Sequence, residues 1–233
     1  MFAKCDFAVQ SNPMNPNWAE ENLQTIRTLM ERSAVYRRAL APIMLFNGVV
    51  GSAGGVCGWL MQIGSAWGFV LFWSGFAMVG LIGSFLLVRR QALKDAEPFW
   101  SPPTRRLTQA MLPLFVVGLV LGVGVLVAWP HPTVAAPPTD SIEIEELFWL
   151  PAVWVVLYGC AIHSAGFFTP RGLRLFGWLF VASGCGIFLW FCLRDSIELP
   201  WWTCHLLMGF FFGVLHLAYG AYLYLTKKGK NAA

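Results

Sequence analysis

"LAPIMLFNGVVGSAGGVCGWLMQ", residues 40–62, contains no Asp, Glu, Lys or Arg. At about 1.5 Å per residue, about twenty such residues cross the hydrocarbon core of a bilayer. The stretch also carries five glycines between Gly48 and Gly58, a run that in a soluble enzyme would suggest a phosphate-cradling loop. Such a loop follows a strand and ends in Lys-Ser/Thr, or shows GxGxxG spacing, and neither pattern is present. Instead Gly48, Gly51, Gly55 and Gly58 fall along one side of a helix, and Gly51-x-x-x-Gly55 overlaps Gly54-x-x-x-Gly58. Small residues at this spacing let a neighbouring backbone approach closely in lipid. The stretch reads as a membrane span with a packing face, open to another helix of this chain or to a second protein.

Five further stretches share this character, giving spans over 40–62, 67–88, 107–129, 148–168, 175–193 and 201–225. The composition agrees: 57% of the 233 residues are hydrophobic and 12% charged, against about a quarter charged in soluble domains. The expected fold class is therefore all-α, a six-transmembrane-helix bundle in contact with the lipid bilayer. Residues 1–39 form a cytoplasmic N-terminal segment and 226–233 a basic cytoplasmic tail. No apolar core precedes the prolines and asparagines of "MFAKCDFAVQSNPMNPNW", so no cleavable signal is expected and insertion begins with the first span.

Charge supplies the orientation. With the N-terminus inside, Arg27, Arg32, Arg37, Arg38, Arg89, Arg90, Lys94, Arg105, Arg106, Arg171, Arg174, Lys227, Lys228 and Lys230 are all cytoplasmic, and Arg194 alone lies outside. That is the positive-inside pattern, and it predicts a multi-pass protein, N-in and C-in. The outer connections are acidic (Asp140, Glu143, Glu145, Glu146, Asp195, Glu198), and Trp59, Trp67, Trp129, Trp149, Trp190, Trp201 and Trp202 gather near the outer boundary. The pI near 8.8 needs no nucleic-acid partner once this segregation is seen.

Ahead of the first span, residues 17–38 follow a helical period, with Asn17 and Glu20 in capping-box position and Leu23, Ile26, Met30 and Ala34 on one face. This amphipathic helix lies on the inner leaflet, docks under the bundle or binds a cytoplasmic partner. Gly118-x-x-x-Gly122 and Gly209-x-x-x-Gly213 add packing faces to the third and sixth spans.

No Asp, Glu, Lys or Arg falls inside a span, which disfavours an ion-coupled carrier, and Pro42, Pro113 and Pro151 are read as near helix starts. Four polar residues, His163, His216, Asn47 and Ser183, reach similar depth in the inner half of the bilayer, about 12–16 Å from the basic flanks for the histidines. They form either a buried polar layer that fixes helix order or, through His163 and His216, axial ligands for haem b. His131 and His205 are expected near the outer surface, solvated or interfacial. No metal site, CxxC motif or catalytic constellation is found and no cofactor is expected; Cys192 and Cys204, near the outer ends of spans five and six, are a possible disulfide pair. The expected role is non-catalytic: accessory, regulatory or complex-subunit, contacting another membrane protein or a homo-oligomeric copy. The alternatives are a haem- or quinone-linked electron-transfer subunit and a small-molecule transporter or channel.

Two segments, "ENLQTIRTLMERSAVYRR" (21–38) and "MGFFFGVLHLAYG" (208–220), resemble a group of bacterial multi-spanning proteins usually called hypothetical membrane proteins. That group has an ENLxxIRxxMER-type amphipathic helix and a GxxxGxxHxxYG-type last span, here Gly209, Gly213, His216, Tyr219 and Gly220. The resemblance implies a bacterial inner-membrane setting and no particular activity.

Overall fold

A computed structural model describes residues 23, 40–94, 102–128, 147–167, 171–193 and 199–231. The chain divides into two units, 1–34 and 35–233, and every helix from Leu40 onward belongs to the second. The amphipathic helix expected at 17–38, apart from Leu23, together with Trp129, the connection with His131 and the acidic residues at 140–146, and Arg194, Asp195 and Glu198, lies outside the described residues.

Helices account for the fold, with no strand among the described residues. They are α1 (Leu40–Leu60), α2 (Ala66–Lys94), α3 (Pro102–Ala128), α4 (Trp149–Ala165), α5 (Arg171–Cys192) and a last rod. The rod consists of α6 (Trp202–Met208), a π-helical turn (Gly209–Val214) and α7 (Leu215–Asn231). Five helices are long and apolar enough to cross a membrane: α1, α2, α3, α5 and the rod over Trp202–Thr226. At 17 residues α4 is apolar but shorter, about 26 Å long.

Helix ends differ from the apolar stretches for local reasons. α2 runs on through Arg89 and Arg90 to Lys94, because a helix does not stop where an apolar run stops. α3 opens at the Pro102-Pro103 pair, where proline suits a first turn, so Pro113 sits inside the helix rather than near its start. There it leaves the Gln109 carbonyl without its usual helical donor.

Consecutive helices alternate in direction, and this sorts the charges. All ten described Lys and Arg positions, on α2, α3, α5 and α7, fall at one end of the bundle, with no Asp or Glu among the described residues. Large apolar side chains cover the outside, as with Leu71, Ile82, Val120 and Leu175, each about half exposed or more. Between such helices in lipid there is little hydrophobic driving force, so close packing and polar pairing must hold the bundle.

Close packing is concentrated in two antiparallel seams. In the first, α1 lies against the rod: a Cβ added at Gly48 would stand 2.6 Å from the Leu217 backbone nitrogen, and one at Gly55 2.8 Å from the Gly209 Cα. A Cβ at Gly51 would fall on the Phe212 carbonyl, at Gly58 on the His205 ring, and at Gly220 2.9 Å from the Leu45 nitrogen. Gly54 turns instead to Trp73 and Phe76 of α2. In the second seam α4 lies against α5, with Gly159 on Val181, Gly177 on His163 and Gly184 on the Ala152 carbonyl. Gly118 and Gly122 face the Trp154 ring at ordinary contact or slightly closer, and the Gly118 carbonyl accepts the Trp154 indole N–H at 3.0 Å.

Candidate functional site: two buried histidines on one rod

Chemistry-bearing residues are scarce inside the bundle: the buried polar residues described are Thr104, His205 and His216. The two histidines sit on the last rod and each ties it to a different part of the bundle.

His205 is wholly buried rather than interfacial, which corrects the expectation from sequence. Its position is built by the end of α1. Gln62 takes a left-handed conformation (φ 51°), Ile63 N–H bonds the Gly58 carbonyl at 3.4 Å and Gln62 N–H the Trp59 carbonyl at 3.3 Å, the pairing of a Schellman motif. The Ile63 carbonyl then accepts from Nε2 of His205 at 2.9 Å, while the Trp73 indole N–H donates to Nδ1 at 3.1 Å. An indole can only donate and a carbonyl can only accept, so the ring is the neutral tautomer with its proton on Nε2. Phe69, Phe72 and Trp201 stand edge-on around it with centroids 5.2–6.1 Å away. The signal for this burial was helical phase: His205, Gly209 and Gly213 share one four-residue repeat, so the histidine continues the face that packs on α1.

His216, 1% exposed, sits at the other end of the rod's buried length. Its Nδ1 donates to the Phe211 carbonyl at 2.9 Å, and in the neutral ring Nε2 accepts from the Tyr158 hydroxyl of α4 at 2.7 Å. Phe176 and Phe180 of α5 meet the ring edge-on and Phe212 stacks on it at 6.2 Å.

The four residues read from sequence as one polar layer take separate partners. Asn47 donates to Ser84 Oγ of α2 at 2.9 Å. His163 sets Nδ1 3.4 Å from the Arg174 carbonyl, with its ring edge-on to Phe167 and Trp178. Ser183 is half-buried on α5. Among the described residues no contact joins His163 to His216. Five residues separate His163 from Tyr158, which puts it about 140° round α4 from the side that meets His216. Both nitrogens of His216 are engaged and its ring is walled by aromatics, so this pair does not fit the two axial ligands of a haem. Cys192 and Cys204 are both free thiols, the first exposed on α5 and the second packed in the core at 2% exposure, which corrects the disulfide expectation. The arrangement holds helices in place: the Tyr158 hydroxyl set against His216 joins α4 to the last rod, and no carboxylate side chain lies among the described residues.

Comparison with protein-family models, curated proteins and solved structures returns no match.

Proposed function

We propose that this chain is a six-span protein of a bacterial inner membrane, both termini cytoplasmic, with a non-catalytic accessory or regulatory role in a membrane complex. The observation that carries the reading is the use of the interior polar groups. His205, His216, Asn47 and Trp154 each bond another helix or the loop beside it, so they lock helices together rather than face a ligand. The gathering of described Lys and Arg at one end supports the orientation. Packed against both α3 and α5, α4 supplies the sixth crossing at the short end of the workable range of about 17–25 residues. The glycine faces of α1 and the rod already cover each other, which leaves the lipid-facing sides and the N-terminal amphipathic helix for partners.

Affinity purification from native membranes in mild detergent, with an optical spectrum on the same sample, tests this reading. It expects another membrane protein to copurify in fixed ratio and no Soret band. A Soret band lost on His163→Ala or His216→Ala would overturn it in favour of electron transfer. A solitary protein that passes a small solute across liposomes would overturn it in favour of transport.

A further inference from the structure

The last rod changes helical type between its two histidine sites. Within Gly209–Val214 the chain is π-helical, and the Leu215 N–H bonds the Phe210 carbonyl five residues back. Such a turn acts as one residue inserted into an α-helix and rotates everything beyond it by about 100°.

Contacts on either side record that rotation. His205, Gly209, Gly213 and Leu217 all lie against α1 at uniform steps of four residues. In an α-helix three such steps drift by about 120° and leave the face, whereas absorbing one residue cuts the drift to about 20°. From Gly58 to Gly48, α1 advances ten residues while the rod facing it advances twelve. The histidines agree: eleven residues apart, they would share a face of an unbroken α-helix to within about 20°. Instead His205 meets Trp73 of α2 and His216 meets Tyr158 of α4. His216 also bonds the turn itself, through the Phe211 carbonyl.

We infer that the π turn is a register joint latched by His216. In the alternative register Gly209–Val214 is α-helical, α7 is turned by about 100°, and each position facing α5 is taken by the preceding residue. The chain Tyr158 hydroxyl, His216 ring, Phe211 carbonyl holds the observed register. Across the joint the seam is glycine against backbone at Gly51, Gly55 and Gly209, while Gly213 faces Ser52, the Leu217 side chain lies over Gly48 and Gly220 faces Leu45, contacts that belong to the observed register. Rotation carries the Lys227–Lys230 segment with it and so changes what the basic end offers a partner. The inference rests on the bundle and not on the accessory role.

Cysteine cross-linking of the full-length protein in native membrane vesicles tests it, with a short bifunctional thiol reagent and mass-spectrometric reading of the joined peptides. Phe176→Cys is paired either with Tyr219→Cys or with Ala218→Cys; the Phe176 and Tyr219 rings stack at 4.5 Å. In the otherwise native chain the 219 pair dominates. Adding His216→Phe shifts yield toward the 218 pair by about tenfold, the scale set by losing the hydrogen bonds that hold one register. Deleting Phe210, a half-exposed residue of the turn, removes the inserted residue and keeps the 219 pair even with His216→Phe. An unchanged 218 yield in His216→Phe overturns the inference, as does loss of the 219 pair on deleting Phe210. Should His216→Phe fail to insert, Tyr158→Phe removes only the hydroxyl and must shift yield the same way; no shift there overturns the inference too.

Discussion

The indole of Trp73 donates to Nδ1 of His205 across 3.1 Å, joining residues 132 positions apart in sequence. With the Ile63 carbonyl on Nε2, this bond consumes the ring's whole hydrogen-bonding capacity. The net value of such a pair in a membrane interior is modest, about 0.6 kcal/mol on average. Leaving one partner buried without a mate costs about 1–3 kcal/mol, so loss of the ring outweighs loss of the pair. His205→Phe, which orphans both Trp73 and Ile63, is expected to destabilise by about 2–4 kcal/mol. Trp73→Phe is expected to cost less. Thermal unfolding of the detergent-solubilised protein checks the order; equal effects would contradict it.

Glycines in the seams and glycines on the lipid face should respond oppositely to one added methyl. Gly51→Ala and Gly177→Ala put a Cβ onto backbone atoms of the facing helix and are expected to destabilise by about 1–3 kcal/mol. At Gly75, Gly124 and Gly186 a Cβ meets nothing within 4 Å, and alanine there should stabilise by about 0.5–1 kcal/mol through helix propensity. Fluorescence-detected size exclusion after a heat series separates the two classes.

Gln62 carries the described chain's one non-glycine positive φ, at the turn that aims the Ile63 carbonyl at His205. Gln62→Gly removes a left-handed penalty of roughly 1–2 kcal/mol but costs backbone entropy, for an expected gain of about 0.5–1 kcal/mol. Gln62→Val should lose stability, since a β-branched side chain opposes that conformation. The same melting series reads both.

Membrane character was legible because lipid imposes a long uncharged run on each crossing, and that constraint is written in single residues. Glycine spacing in α1 marks a face but not its occupant: the match between Gly51 and Gly213 depends on how a helix about 160 residues later is phased. The α4–α5 seam leaves no motif in the sequence because Gly159, Gly177 and Gly184 are spaced too widely within each helix. Depth along a helix, all that counting from charged flanks yields, grouped His163 with His216; their azimuths separate them. The same holds for His205: closeness to Trp201 and a helix start says nothing of which way the ring points. The π turn has no simple residue signature in "GFFFGV" and is dictated by the contacts on either side of it.

Insertion of reporter domains into successive connections is the most direct test of a lipid-embedded bundle with its basic end inside. The connection between Lys94 and Pro102 is expected in the cytoplasm, that between Ala128 and Leu147 outside, that between α4 and α5 inside, and that between α5 and α6 outside. A periplasmic Lys94–Pro102 connection, or flanks of α4 on the same side of the membrane, would contradict it.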